Sequence, residues 1–265
     1  AAIAVTRLPT LDRCADAGFV MFTLDAIEKV IDAAPKMTDA QLDQAYAKIL
    51  EEVPAAKGWE KKYSGKTFTF GRGVAVRMEG RAFREAIVKY GRAIPYWLEM
   101  EKRVRAKTKG RACEIEIAVD ETGAVTSGAE HVFIARELQG KGMRFQGFAP
   151  RFVGEFEKGV DYKGDRKTLE ESVIEHAELA RAHGGYKISV HSGSDKFSIY
   201  SMIAKATGNK FHLKTAGTSW MEAVRVIVRK DPALFRQICD HVRGQFAQDK
   251  ASYHISGDPP PHPPP

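Results

Sequence analysis

The chain has 265 residues and a mass of 29.4 kDa, which suits one large α/β domain or two small ones and excludes a disulfide-stapled mini-protein. Hydrophobic residues make up 43% and charged residues 28%, and the mean hydropathy of −0.33 fits neither a disordered chain nor a membrane bundle. Forty-one Lys and Arg against 34 Asp and Glu leave a net charge of +7, a surplus suited to nucleic acid, phosphate or a small acidic substrate.

The cysteines indicate the compartment. Cys14, Cys113 and Cys239 are widely separated, odd in number and without a C-x-x-C spacing, which argues against a disulfide framework or a thiolate zinc site. We therefore expect a protein of the reducing cytoplasm. No stretch reads as a signal peptide or as an apolar span, so we expect no membrane partner.

The first elements along the chain are a strand and a helix. Residues 18–25 form a compact apolar run bounded by Gly and Asp, which predicts a buried strand. Residues 38–53 have the apolar spacing of a helix, with Thr38 as the N-cap and Gln41 at the third helical position.

An irregular segment and a long helix follow. Residues 54–80 contain turns and a short Thr/Phe strand, which predicts an insertion. Residues 81–109 predict a helix bent at Pro95. Six basic residues at 102–111 suit a solvated helix end or a nucleic-acid-binding face. We favour the first interpretation and expect no nucleic acid partner.

After residue 110 the pattern becomes regular, with four successive strand–helix units. Their strands are predicted at 113–120, 144–148, 186–191 and 210–215, and their helices at 128–138, 165–183, 194–206 and 219–229. Such alternation predicts parallel strands joined by right-handed crossovers. Polar residues gather where the strands end, as in (β/α)8 barrels, and no G-x-G-x-x-G turn indicates a dinucleotide fold.

We therefore predict an α/β fold of the (β/α)8 TIM-barrel type, incomplete, with about five or six core strands where a closed barrel has eight. One partial barrel domain is expected over residues 1–256, and a disordered Pro-rich tail over 257–265.

Alternation within the strand at 113–120 separates acids from apolar residues. Glu114, Glu116 and Asp120 share one face of this strand. In a barrel the apolar face packs against the helices, so the acids point into the lumen, where carboxylates are costly unless paired or bound to a metal. The alternative is an edge strand with a solvated acidic face.

Imidazoles follow on the next strands. Alternation places Ser189 and His191 on one face of their strand, and His212 and Lys214 on one face of the next. Imidazole near carboxylate suits Zn, Mn, Fe, Co or Ni. Glu155 lies in a glycine-flanked loop past a strand end, and this loop is either bent over the barrel mouth or a plain surface turn.

Basic residues at strand ends suit an anionic ligand. The guanidinium of Arg151 matches a carboxylate in a bidentate geometry. The segment that carries Lys196 combines a strand end with a helix N-terminus, where backbone N–H groups attract anions. Lys214 precedes a similar segment one strand later.

Four of these segments, at 119–122, 149–159, 187–200 and 211–220, resemble the tagaturonate epimerase family, with looser similarity back to about residue 11. Enzymes of this family interconvert tagaturonate and fructuronate with a divalent metal. The resemblance implies a metal-dependent barrel whose proton donor, proton acceptor and metal ligands come from separate strand ends. It also implies an Asp/His-rich element that this chain does not match, so the chain reads as an internal piece of a longer enzyme.

On the matching positions the resemblance implies the proton donor at Glu116 first and Glu121 second. It implies metal ligation by His191 and Glu155, with Mn, Zn, Ni, Co or Fe as the ion. The substrate carboxylate is expected against Arg151, Lys196 or Lys214, and His212 is a further predicted substrate-binding residue.

The function expected on this basis is interconversion of D-tagaturonate and D-fructuronate, at C4, in hexuronate catabolism. A different metal-dependent barrel isomerase or aldolase, an inactive fragment, and a basic nucleic-acid-binding protein are the alternatives. The oligomeric state is left undetermined.

Overall fold

The computed structural model describes residues 2–157, 159–215 and 218–251. Within these limits the chain divides into two compact units, one formed by residues 2–153, 165–190 and 202–212, and the other by the remaining residues. The predicted tail at 257–265 lies outside the described residues, and the single-domain boundary at 256 stays a prediction.

The elements alternate between strands and helices over most of the chain. The strands are β1 (Ala2–Val5), β2 (Met21–Asp25), β3 (Lys66–Thr69), β4 (Ala75–Met78), β5 (Glu114–Ala118), β6 (Gly147–Ala149), β7 (Lys187–Val190) and β8 (Phe211–Leu213). The helices are α1 (Leu8–Asp16), α2 (Asp39–Glu52), α3 (Trp59–Tyr63), α4 (Gly80–Tyr90), α5 (Ala93–Thr108), α6 (Gly128–Gly140), α7 (Arg166–Ala182), α8 (Phe197–Thr207), α9 (Thr218–Lys230) and α10 (Pro232–Lys250). None of the described helices is both long and apolar enough to cross a membrane.

The main sheet has six strands in the order β1-β2-β5-β6-β7-β8. The pairs β1–β2, β2–β5, β5–β6 and β6–β7 are parallel, because a helix or a longer segment returns the chain between them. This confirms the predicted α/β class. The predicted TIM barrel is not confirmed, since β1 and β8 end the order of the described strands and the sheet does not close on itself.

Residues 54–80 are part of the first unit. Strands β3 and β4 form an antiparallel pair, and helix α3 buries Trp59 and Tyr63. Both rings contact the ring of Phe133 in α6, at centroid distances of 4.8 and 5.7 Å. The segment therefore belongs to the hydrophobic core, and its origin as an insertion stays a prediction.

The predicted start of helix α2 is found in the structure. Thr38 caps α2 in the predicted capping box with Gln41. The helical region predicted at 81–109 is found as two successive helices: α4 ends at Tyr90 and α5 begins at Ala93, while Gly91 and Arg92 between them keep right-handed helical backbone angles. Pro95 lacks an N–H and its ring crowds the carbonyl four residues earlier, which interrupts the hydrogen bonds of a helix at this point.

Basic residues in and just after α5 have partners in α1. Arg103 forms a bidentate pair with Asp12 at 2.6 Å, and Lys107 lies 3.0 Å from a carboxylate oxygen of Asp16. Arg111 donates to the carbonyl of Ala15 at 2.7 Å. These contacts give the cluster a role in joining the two helices.

Candidate active site

Glu116 lies at the centre of a hydrogen-bonded group that spans four strands. Its side chain, in β5, is 1% exposed. Oε1 accepts a hydrogen bond from the Thr23 hydroxyl of β2 at 2.9 Å, and Oε2 lies 3.0 Å from Nδ1 of His212 in β8. The Ser189 hydroxyl of β7 is 3.0 Å from the same ring nitrogen. We call Glu116 and His212 the carboxylate–imidazole pair.

The register of the sheet creates this arrangement. Thr23 is the partner of Glu116 in the β2–β5 ladder, and Gly147 is its partner in the β5–β6 ladder, so the three residues share one level and one face. A Cβ at position 147 would lie 2.7 Å from Oε2 of Glu116. The glycine therefore leaves the space that the carboxyl group occupies.

Burial and hydrogen bonding act in opposite directions on Glu116. Removal from water disfavours a charged carboxyl group, while donors aimed at its oxygens favour the charged form. A carboxyl group held in this way, with a titratable ring at its side, is suited to giving and taking a proton. The alternative of a solvated acidic face is wrong for Glu116, because β5 is a central strand of the sheet and the side chain is buried.

The other predicted residues of the first unit are placed nearer the surface. Glu114 and Glu121 are exposed, and Asp120 is half-buried in the segment after β5. Arg151 follows β6. Its backbone N–H donates to the Thr126 hydroxyl and its carbonyl accepts from the Thr126 backbone N–H, both at 2.9 Å. The proposed roles of Glu121 and Arg151 stay predictions.

In the second unit, His191 and Lys214 lie side by side. His191 is 7% exposed, and its Nδ1 atom is 3.5 Å from the Lys214 ammonium. The backbone N–H of Gly193 donates to the Lys214 carbonyl at 3.0 Å and ties the two segments together. The ligand role of His191 and the substrate-binding role of Lys214 stay predictions.

Lys196 is fully buried in the second unit. Its ammonium donates to the carbonyls of Glu157, Val160 and Ser194 at 2.7, 2.6 and 3.0 Å. Burial lowers the pKa of this ammonium, against the attraction of neighbouring carboxylates, Asp195 first among them. Since an ammonium has three N–H donors, these carbonyls match its full capacity. This geometry favours a structural role, and the predicted substrate contact has no support from it.

Glu155 lies in the loop that Lys196 holds. Its backbone pairs with that of Lys163 in an isolated antiparallel bridge, with hydrogen bonds of 2.8 and 3.4 Å. Lys163 also bonds the buried Glu157 carboxylate at 3.2 Å. The loop is therefore internally braced, and the ligand role of Glu155 stays a prediction.

A metal site is not completed by the described residues. Among them no three His, Cys, Asp or Glu side chains form a group that could hold a metal ion. Imidazole and carboxylate are suitable ligand types, but His191 and Glu155 fall short of the three protein ligands typical of a catalytic zinc site.

Two polar residues of β2 were missed by the sequence reasoning. Thr23 bonds Glu116, and Asp25 is 9% exposed and accepts the backbone N–H of Ile27 at 2.8 Å. The available signal was a polar residue inside an apolar strand, since buried hydroxyl and carboxyl groups require partners.

The fold and this site define an α/β protein with a buried carboxylate–imidazole pair, an arrangement suited to acid–base chemistry. The sequence model of the tagaturonate epimerase family matches residues 4–263. A tagaturonate/fructuronate epimerase of Thermotoga maritima is 40% identical over 254 residues, covering 96% of this chain and 51% of the relative.

Solved structures agree with the sequence comparison. The native crystal structure of fructuronate-tagaturonate epimerase from Cohnella laeviribosi superposes with a TM-score of 0.88 at 35% identity, over 96% of this chain and 51% of that one. Its complex with one glycerol gives a TM-score of 0.88 at 34% identity, with the same coverage. The chain belongs to the tagaturonate epimerase family, and it spans about half the length of these relatives.

Proposed function

We propose that the chain carries part of the active site of an enzyme that interconverts tagaturonate and fructuronate. The observation that carries the proposal is the buried Glu116 carboxyl group, bonded to Thr23 and His212 from two other strands. Burial of a carboxyl group is costly unless its oxygens have partners, and here two of the partners are side chains from separate strands, one of them a titratable imidazole. The curated relative is named for this epimerisation.

In this proposal Glu116 exchanges a proton with the substrate. Because the reaction is reversible, the group that gives the proton in one direction takes it back in the other. We place the inverted centre at C4, two bonds from the ketone. Abstraction of a proton from the carbon next to the ketone does not act on C4 directly. Cleavage and recombination of the carbon chain is therefore one route to be tested.

The substrate is a sugar acid, and its carboxylate requires a cationic partner. Arg151 offers a forked donor at the end of β6, and Lys214 offers an ammonium just after β8. The positive net charge of +7 favours an anionic substrate in a general way. We propose either Arg151 or Lys214 as this partner, and not Lys196, whose ammonium faces three carbonyls.

We also propose that a divalent metal, one of Mn, Zn, Ni, Co or Fe, binds at His191 and Glu155. Such an ion polarises a carbonyl or hydroxyl oxygen of the substrate when bound. The further ligands would come from outside the described residues, in the part of the longer relatives that this chain does not match. We place the enzyme in the cytoplasm because its three cysteines are separated.

The test is incubation of the purified chain with tagaturonate and each of these metals, with fructuronate followed by chromatography. We expect fructuronate to form with at least one metal when the further ligands are supplied by a longer protein that contains this chain. The Thermotoga maritima epimerase serves as the positive control. Product from the longer protein and none from this chain would agree with a site that the chain carries only in part. Absence of product from both, while the control turns over, would contradict the proposal, and a split carbon skeleton would indicate the aldolase alternative.

A further inference from the structure

The loop at residues 154–164 is closed at its base. The backbones of Glu155 and Lys163 pair in an antiparallel bridge, and the φ angle of Gly154 is +85°. A Cβ at Gly154 would overlap the hydroxyl of Tyr162, so the glycine lets this ring fill the base of the loop. The described residues of the loop therefore form one compact piece.

The ammonium of Lys196 joins this loop to the segment that follows β7. It is fully buried and donates to the carbonyls of Glu157 and Val160 in the loop, at 2.7 and 2.6 Å. Its third contact is the Ser194 carbonyl of its own segment, at 3.0 Å. One cation thus draws together backbone oxygens from two segments that are far apart in the sequence.

A second crosslink joins the same two segments in the opposite direction. Asp161, in the loop, accepts a hydrogen bond from the hydroxyl of Ser198 at 2.9 Å and one from the backbone N–H of the same residue at 3.2 Å. Ser198 is the second residue of α8, where backbone N–H groups have no acceptor within the helix and favour a negative charge. The sequence predicts an external anion at this helix start, and the structure places a carboxylate of the chain itself there.

The turn between β7 and this helix is held in a strained form. Ser192 and Asp195 have φ angles of 48° and 62°, in the left-handed region that favours glycine. The hydroxyl of Tyr200 accepts the backbone N–H of Lys196 at 3.0 Å and donates to the carbonyl of Gly193 at 2.5 Å. A side chain of α8 thus fixes the turn on which Lys196 lies.

We propose that Lys196 and Asp161 are positioning residues, whose reciprocal crosslinks dock the 154–164 loop on the start of α8. The docked loop carries Glu155, and the fixed turn begins directly after His191, so the crosslinks hold the segments of both residues in one arrangement. The catalytic meaning of this inference rests on the proposed function, which places Glu155 and His191 at the site. Its structural content, a loop docked by two contacts that depend on each other, stands without turnover.

The first test asks whether the two crosslinks depend on each other. In the 15N-labelled chain, NMR measures hydrogen exchange at the Lys196 ammonium and at the Ser198 backbone N–H. If the loop docks as one piece, Asp161→Ala should expose the ammonium and Lys196→Met should expose the Ser198 N–H, each with exchange about 10-fold faster or more. Each variant is thus read at a group that the changed side chain does not hydrogen-bond.

Lys205→Met and Asp240→Ala are the matched controls, because both residues are exposed and their changes should leave both exchange rates as in the parent. Unchanged chemical shifts of the β5 amides show that each variant is folded. An unchanged Ser198 rate in Lys196→Met, or an unchanged Lys196 rate in Asp161→Ala, overturns the inference, because the two crosslinks would then be independent.

Asp161→Asn separates the hydrogen bonds of this residue from its charge. The amide oxygen still accepts from Ser198, as an asparagine oxygen does at many helix starts. We expect exchange at the Lys196 ammonium in this variant to stay close to that of the parent. Exchange as fast as in Asp161→Ala would show that the bonds to Ser198 do not dock the loop, which overturns the inference.

The second test uses turnover in a longer protein that contains this chain. We expect kcat for tagaturonate to fall about 10-fold or more in Asp161→Ala with little change in KM, because misplaced groups slow the chemical step. Asp161→Asn should recover most of the lost kcat. A rise in KM alone would indicate a substrate contact and overturn the positioning role. Absence of turnover in the parent concerns the proposed function only, because hydrogen exchange is measured without substrate.

Discussion

Glu116 and His212 are 96 positions apart in the chain, and their side chains meet at 3.0 Å although two strands, β6 and β7, lie between theirs in the sheet. In a flat sheet, strands three places apart are separated by about 14 Å. The contact therefore requires the sheet to curve toward the face that carries both residues. Curvature of this kind lets parallel strands assemble one site from several strand ends.

Glu116→Gln tests the proton transfer. The amide fills the same space but cannot exchange a proton, so we expect kcat for conversion of tagaturonate to fall by about 100- to 10,000-fold. Glu121→Gln is the control, and its exposed position predicts a kcat close to that of the parent. A larger fall in kcat in Glu121→Gln than in Glu116→Gln would instead indicate Glu121 as the proton donor.

His191→Ala tests the metal proposal. If His191 is a ligand, elemental analysis of the purified protein should show a bound divalent ion in the parent and a loss of at least 10-fold in affinity in the variant. His241→Ala, at an exposed position of α10, should leave the metal content unchanged. Equal metal content in all three proteins would rule out ligation by His191.

Lys196→Met tests the brace of the second unit. Methionine fills a similar volume but donates no hydrogen bond, which leaves three carbonyls without their donor. We expect a loss of about 3 kcal/mol in the free energy of unfolding, measured with urea. Lys205→Met, at an exposed position of α8, should change it by less than about 0.5 kcal/mol. A full loss of activity with unchanged stability would instead favour a substrate contact.

Lys89→Met tests a buried ion pair between helices α4 and α6. The ammonium of Lys89, fully buried, lies 3.1 Å from Glu130 Oε1, and Glu130 also caps α6 through the backbone N–H of Ser127. Removal of one partner leaves a buried charge, with an expected cost of about 3–5 kcal/mol.

The double variant Lys89→Met/Glu130→Gln is its matched control. Glutamine keeps the hydrogen bond to Ser127 and carries no charge, so we expect it to regain a large part of the stability lost in Lys89→Met. Burial raises the pKa of Glu130, against the attraction of Lys89, which agrees with a costly buried carboxylate. A double variant less stable than Lys89→Met would refute this account.

His176 predicts how stability depends on pH. Burial lowers its pKa to about 4 from 6.5, although a hydrogen bond with the Thr126 backbone opposes the shift. Below pH 6.5 this residue is protonated in the unfolded chain, whereas in the folded protein it stays neutral down to about pH 4. The free energy of unfolding therefore falls as the pH decreases from 6.5 to about 4. Between pH 7 and 5 we expect a loss of about 2 kcal/mol from this residue.

Urea unfolding at both pH values measures this loss. His176→Gln should reduce the dependence by this amount, because glutamine does not titrate and still offers a hydrogen-bonding partner to Nδ1 of His131, 2.8 Å away. The part due to His131 and His183, whose pKa values burial also lowers, should remain. His241→Gln, at an exposed position, should leave the dependence as it is in the parent. If the free energy of unfolding depends on pH equally in the parent and in His176→Gln, groups other than His176 cause the loss of stability in acid.

Local patterns determined a large part of the fold. The alternation of strands and helices after residue 110, the apolar strand before Asp25 and the capping box at Thr38 depend on side chains only a few positions apart, and each is found in the structure. Alternation also placed Glu116 on the face opposite its apolar neighbours. Sequence reasoning missed helix α10 altogether, although its half-buried apolar residues Phe235, Ile238, Cys239 and Phe246 have helical spacing.

The sequence by itself determined the family, the α/β class and the residue types available for acid–base chemistry. Only the tertiary structure decided that Glu116 bonds Thr23 and His212, and that Lys196 points at carbonyls. The reason is physical: periodicity reports which face a residue occupies, whereas strand order and sheet curvature decide which distant residues share that face. Those quantities arise from contacts across the whole sheet, and no short stretch of sequence contains them.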